Sequence, residues 1–340
     1  MRSNIVEKPT VAITGASAGV GRAVVEAYAA RGAKIGLLAR GTAGLDGAKS
    51  SAERLGAVKV ITCPVDVSDA DAVEAAAERI ETELGPIDVW VNDAMTSVFA
   101  KVLDITSDEY RRVMDVIFLG FVHGTQSALR RMMPRDRGVV VQVGSALGYR
   151  GIPAQPAYCA AKHAIQGFND SLRAELNSTR SNVRVSSVQM PALNTPQFDW
   201  VRTRLPNHPQ PVPPIYQPEV AAEAVLWAAD HRPREINVGS STIKARLGDK
   251  FAPGFLDWYL GRSGISSQQT DQQVDPQSRP DNLFEPQDED VDHGAHGSFG
   301  DTSKTSSKTF WAVTHKPLLA GVAAAAVSGA VTGMAVARKK

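Results

Sequence analysis

Along roughly the first 240 residues, short and nearly continuous apolar runs alternate with longer stretches whose apolar positions recur every three or four residues. The runs TVAITG (Thr10 to Gly15), KIGLLAR (Lys34 to Arg40), VKVITCPVDV (Val58 to Val67) and PIDVWVNDA (Pro86 to Ala94) each contain a predicted strand. So do GVVVQVGS (Gly138 to Ser145), NVRVSSVQM (Asn182 to Met190) and REINVG (Arg234 to Gly239). Between them RAVVEAYAARG, Asp69 to Leu84, Ser107 to Met133, Ala157 to Asn177 and Glu219 to Asp230 predict helices. Apolar strands separated by helices predict a parallel sheet covered on both faces. The fold class is therefore α/β, a Rossmann-type doubly wound parallel sheet of seven strands, complete by about Gly239.

The pattern then changes. After the sixth strand comes ALNTPQFDWVRTRLPNHPQPVPPIYQP, rich in proline and without a helix or strand period in its centre. A long irregular segment with Phe198, Trp200 and Tyr216 predicts a lid. Lys244 to Leu260 predicts a short helix, and residues 1–260 make one catalytic domain. Residues 261–316 are rich in Ser, Gln, Asp, Gly and Pro, a composition that predicts a flexible polar linker in which only the DNLFEP and DHGAHGSFG pieces are rich enough to dock. Residues 317–340 hold a charge-free run of 20 residues, Leu318 to Ala337, long enough to predict a membrane-anchoring transmembrane helix or a surface-docked hydrophobic tail.

Composition narrows the function. A formal charge of +1 speaks against nucleic acid as a partner. The two cysteines, Cys63 and Cys159, are far apart, so they read as small apolar fillers, and no metal-ligand spacing is present. The N-terminus enters its first strand without a secretory signal, which predicts a catalytic domain in the cytoplasm, held to the membrane by the C-terminal run.

The candidate chemistry lies at strand ends. TGASAGVG places Gly15, Gly19 and Gly21 between the first strand and its helix, where a side chain would keep backbone amides from a pyrophosphate. Ala39 stands where an acid would hold the ribose hydroxyls of NAD, and Arg40 follows, so the pair predicts NADP(H) over NAD(H). Asp66, after the third strand, is placed either for adenine or for a local turn cap. Tyr158 and Lys162 share a helix face, where an ammonium is expected to lower the phenol pKa, and Ser145 ends the fifth strand.

These motifs together resemble the short-chain dehydrogenase/reductase family over about Thr10 to Gly239: TGASAGVG, Asp66-Val67, Ser145, and YCAAK from Tyr158 to Lys162. The resemblance implies Tyr158 as general acid or base, Ser145 as holder of the reacting oxygen, and Lys162 as partner of the nicotinamide ribose. It also implies cofactor contacts from Gly15, Ser17, Gly19, Val20, Gly21, Arg40, Asp66, Val67, Asn92, Ala94 and Thr195, and a homodimer or homotetramer built on the helices at Ser107 to Met133 and Ala157 to Asn177. The chain departs from the family at Asp93 and Met95, at Ala192, and at Ile117, which stands where the family has the asparagine of its proton relay.

Val98, Phe99, Leu147, Tyr149, Gln155, Phe198 and Trp200 are the candidate substrate residues, and most are apolar. The expected function is an NADP(H)-dependent oxidoreductase interconverting a small hydrophobic ketone or aldehyde and its alcohol. The competing reading is a non-catalytic dinucleotide-responsive binding or scaffold protein.

Overall fold

Seven parallel strands form the centre of the molecule in the computed structural model, which describes residues 7–315. They are β1 (Thr10–Thr14), β2 (Lys34–Ala39), β3 (Lys59–Pro64), β4 (Val89–Asn92), β5 (Val139–Ser145), β6 (Arg184–Met190) and β7 (Glu235–Asn237). Their order across the sheet is β7-β6-β5-β4-β1-β2-β3. The chain winds one way from β1 and the other way from β4, so a crevice opens at the carboxyl ends between those two strands. β1 lies inside the sheet between β4 and β2, and all of its residues are buried.

One face is covered by α1 (Gly19–Ala29), α2 (Thr42–Arg54) and α8 (Pro218–His231). The other is covered by α3 (Ala70–Leu84), α5 (Gly120–Met132) and α6 (Pro156–Ser178). The Asp69 side chain caps α3 by accepting from the backbone amides of Asp71 and Ala72, each at 3.0 Å. The helix α4 (Ser107–Met114) opens with a capping box between Thr106 and Glu109. Between α4 and α5 the expected single helix widens into a π-helical turn at Asp115–Leu119, the stretch that holds Ile117.

α2 escapes a reading by periodicity because its sequence is rich in Gly and Ser, although it buries Leu45, Ala48 and Ala52. The lid contributes the short helix α7 (Gln197–Trp200). The single short helix expected at Lys244 to Leu260 is two helices, α9 (Ser240–Phe251) and α10 (Pro253–Ser263).

The largest departure is beyond α10. Instead of hanging free as a linker, the chain pairs Gln269–Gln273 antiparallel with Asn207–Pro209 and then runs as a strap, residues 281–300, along the carboxyl edge of the sheet. Leu283 is fully buried in the cluster that holds Ile117 and Phe121. Asp292 pairs with the buried Arg22 of α1 at 3.1 Å, and Asp281 with Arg202 of the lid at 2.8 Å. Composition underestimates this segment because the partners that offset its ordering entropy lie far away in sequence. Both pieces singled out for docking, DNLFEP and DHGAHGSFG, belong to the strap.

The expectation of a membrane-spanning helix is corrected. Among the described residues no helix is long and apolar enough to cross a membrane, so membrane anchoring has no support in the fold, and the run 318–337 lies outside those residues.

The lid is tied to α4 through Glu109. Its carboxylate accepts from Arg202 at 2.9 Å, from Arg204 at 2.8 Å and from the Thr106 amide at 2.8 Å. Burial alone would raise its pKa, but the hydrogen bonds from Arg204, Thr106 and Arg202 bring it down to about 2. A depressed carboxyl stabilises the fold fully above its unfolded value of 4.5, and this contribution is lost as the pH falls through about 2. Replacing Glu109 by Gln should lower stability at pH 7 by about 3 kcal/mol, read by urea unfolding, because two arginines lose their shared partner. The gap between the wild type and Glu109→Gln should narrow as the pH is taken from 4.5 toward 2.

Candidate active site

The crevice at the switch point is shaped by absent side chains. Gly15 has φ +72°, and a Cβ there would lie 2.9 Å from Ala94 Cα. A Cβ on Gly21 would lie 2.0 Å from the Gly15 carbonyl oxygen. The loop therefore folds tightly onto the start of α1, which borders the cleft, with the Gly19 amide donating to the Gly294 carbonyl at 3.0 Å. Thr14 Oγ1 accepts from the amides of Asp93 at 3.0 Å and Ala94 at 3.2 Å, which joins the end of β4 to the end of β1.

Of the residues expected at the cofactor, Gly15, Ser17, Gly19, Val20, Arg40, Asp66, Val67, Ala94 and Thr195 line this cleft together, and Gly21 packs behind it against Gly15. A long cleft with a side-chain-free loop at a helix N-terminus fits a dinucleotide. Two predicted contacts differ in what they touch. Asn92 lies in a buried network, accepting from Trp90 Nε1 at 2.8 Å and donating to Gln142 Oε1 at 2.9 Å, so it holds β4 to its neighbours and does not line the cleft. The Asp66 carboxylate caps the Ser68 turn and pairs with Arg112.

Arg40 is also committed: it donates to the carbonyl of Phe284 at 2.8 Å and to that of Asn282 at 2.6 Å, both on the strap. The strap also gives the cleft a wall of Asn282, Gln287 and Asp288, which the sequence reading does not include. Nothing in the local pattern places them there, because they follow β2 by most of the chain's length.

Ser145, Tyr158 and Lys162 meet in a neighbouring cavity of about 570 Å³. β5 carries Ser145 at its last position, and α6 starts at Pro156 and presents Tyr158 and Lys162 one turn apart. Lys162 Nζ donates to the Val143 carbonyl at 2.9 Å and lies 5.7 Å from the centre of the Tyr158 ring. Burial pushes the Tyr158 phenol up to about 12, and the Ser145 hydroxyl beside it only partly offsets this. The expectation that Lys162 lowers the phenol is corrected, because burial dominates. Lys162 itself is held below the usual ammonium range by burial, with the Asp93 carboxylate opposing that shift, and Asp93 is raised by its own enclosure. Thus Asp93, a departure from the family pattern, places a carboxyl group beside Lys162.

Of the predicted substrate residues, Phe99, Leu147, Gln155 and Phe198 line the cavity. Val98 is fully buried in the core, Tyr149 turns away to bond Glu235, and Trp200 faces the dinucleotide cleft. The cavity gains Leu256, Tyr259 and Leu260 from α10, which periodicity leaves unplaced because that helix also carries apolar residues on its exposed side, Phe255 and Trp258. Ile117 is fully buried among apolar neighbours, and Met95 lines both the cleft and the cavity.

A doubly wound sheet with this loop, and with Ser, Tyr and Lys at its switch point, defines a nicotinamide-dependent oxidoreductase. Residues 9–205 match the profile of the short chain dehydrogenase family, and the chain belongs to that family. It is an oxidoreductase acting on CH–OH and C=O groups with NAD or NADP. It is similar to the uncharacterized oxidoreductase YxnA of Bacillus subtilis, with 29% identity over 96% of this chain and 90% of that one. It is also similar to human dehydrogenase/reductase SDR family member 7, with 34% identity over 52% of each chain. Glycine betaine reductase ATRR of Emericella nidulans is 36% identical over 52% of this chain and 14% of its own length. Enzymes of this family act on small organic substrates and commonly oligomerise.

If burial controls Tyr158, the tyrosinate absorbance of the wild type minus that of Tyr158→Phe should stay flat from pH 7 to 10 in the unliganded protein. A lysine-activated phenol would ionise within that range.

Proposed function

We propose that this protein interconverts a hydrophobic ketone or aldehyde and its alcohol. The observation that carries the reading is the meeting of Ser145, Tyr158 and Lys162 in one largely apolar cavity beside the dinucleotide cleft. Phe99, Leu147, Ile152, Phe198, Leu256 and Leu260 supply apolar wall, which favours a substrate that gives up little hydration. Arg150 reaches the same cavity but is paired with Asp249 and Asp257, so no free guanidinium among these residues favours a carboxylate substrate.

A bound nicotinamide dinucleotide supplies the hydride in the reducing direction. The Ser145 hydroxyl donates a hydrogen bond to the substrate oxygen and polarises the carbonyl. Tyr158 donates its proton to that oxygen as negative charge develops on it. Lys162, one helical turn from Tyr158, is placed to hold the nicotinamide ribose, and Thr195 reaches both the cleft and the cavity, where it can hold the nicotinamide end. Of the two residues that predict NADP(H), Ala39 leaves room at the end of β2. Arg40 is engaged by the strap, so a preference for NADP(H) does not follow from the pair.

Replacing Tyr158 by Phe should lower kcat by about 100-fold or more while dinucleotide affinity and melting temperature stay at wild-type values. Steady-state assays on aliphatic and aromatic ketones, with binding followed separately by fluorescence, check this. Dinucleotide binding with no turnover across such a panel would move the assignment to a non-catalytic, dinucleotide-responsive protein.

A further inference from the structure

The strap brings a carboxylate to the one place in the cleft where the end of β2 lacks one. We propose that Asp288 reads the adenosine ribose of the dinucleotide and makes this protein selective for NAD(H) over NADP(H), an assignment that rests on the reading of the cleft as a working dinucleotide site.

Asp288 is 9% exposed and lines the cleft beside Ala39, Arg40 and Ser17. It gets there because residues 41 and 44 have no side chains: a Cβ on Gly41 would lie 2.0 Å from Asp288 Oδ1, and one on Gly44 2.5 Å from Oδ2. Among the described residues, no hydrogen-bond donor reaches its carboxylate oxygens. Arg40 lies near enough to balance its charge, and a ribose hydroxyl entering the cleft would supply the hydrogen bond that the carboxylate lacks.

The groups that would hold a 2′-phosphate are already used. The amides at the N-terminus of α2, a natural anion site, donate to the strap: Gly44 to the Asp288 carbonyl at 3.0 Å, Ala43 to the Glu289 carbonyl at 3.1 Å, and Thr42 to Glu289 Oε2 at 3.2 Å. Arg40, the cation that would pair with the phosphate, donates to Asn282 and Phe284 carbonyls. A phosphate placed here would face the carboxylates of Asp288 and Glu289, with the Arg40 guanidinium held by two hydrogen bonds to the strap. The strap is held in this position on both sides of Asp288. Asn282 and Phe284 bond Arg40, Asp292 pairs with Arg22, and the Gly294 carbonyl accepts from the Gly19 amide at 3.0 Å.

The test is equilibrium binding of NADH and of NADPH to the full chain, by fluorescence and calorimetry, without substrate. The wild type should bind NADH at least about tenfold more tightly than NADPH. Asp288→Asn, which keeps the shape and removes the charge, should weaken NADH about tenfold and bring the ratio near one. Asp288→Ala is the second variant, each checked for an unchanged melting temperature. A wild type that binds NADPH as tightly as NADH, or variants that keep the wild-type ratio, would overturn the assignment. If neither nucleotide binds the wild type, the dinucleotide reading itself falls, and this one with it. The wild-type ratio decides the question even if a variant fails to fold.

Discussion

At the carboxyl end of β1 the backbone turns back beneath itself, and the turn exists only because hydrogen is the largest substituent that fits. A side chain at residue 21 would meet the Gly15 oxygen at 2.0 Å, and one at residue 15 would meet Ala94 at 2.9 Å. The close approach lets Thr14 bond both amides at the end of β4 and sets the start of α1 at the border of the cleft. It also brings the glycine loop to Thr195, whose Cβ would lie 3.3 Å from a Cβ on Gly19. The relative position of the dinucleotide cleft and the Ser145–Tyr158–Lys162 cavity follows from this contact.

A second layer closes over that frame. Arg22, in the first turns of α1, sits nearly buried and donates to the carbonyls of Ser17 and Gly47 as well as to Asp292. One guanidinium thus joins the loop, α2 and the strap, and removing it would leave Asp292 without its cation beside a tightly packed loop. The lid is joined to the strap from the other side, with the Trp200 ring 4.7 Å from His293 and the Phe198 ring 5.8 Å from Phe299. Lid and strap therefore order each other, and Glu109 holds both to α4 through Arg202.

Electrostatics inside the cavity depend on enclosure more than on pairing. The aromatic wall around Lys162, with Phe121 4.7 Å from its Nζ, excludes the water that would hold a free ammonium or phenolate. Tyr158 responds by holding its proton, and Asp93 responds by being raised beside Lys162. With Ile117 buried against Leu283, the region that carries a polar relay elsewhere in the family is an apolar contact between the core and the strap.

The strand and helix periods, the glycine loop and the Ser145, Tyr158 and Lys162 spacing were legible in the chain because each is local: it depends on residues within a few turns of one another. Seven strands and their switch point follow from such patterns, as does the family. Asn92, Tyr149 and Val98 were placed correctly along the chain but turn to other partners, since which side of a strand end or turn faces the cleft depends on packing from distant elements. Arg40 and Asp66 reach the cleft as their positions imply, yet their charges meet Asn282, Phe284 and Arg112. The order of residues 281–300 was decided only by tertiary structure, because Leu283, Asp288 and Asp292 gain their burial and partners from α4, α2 and α1, which no short window of sequence contains.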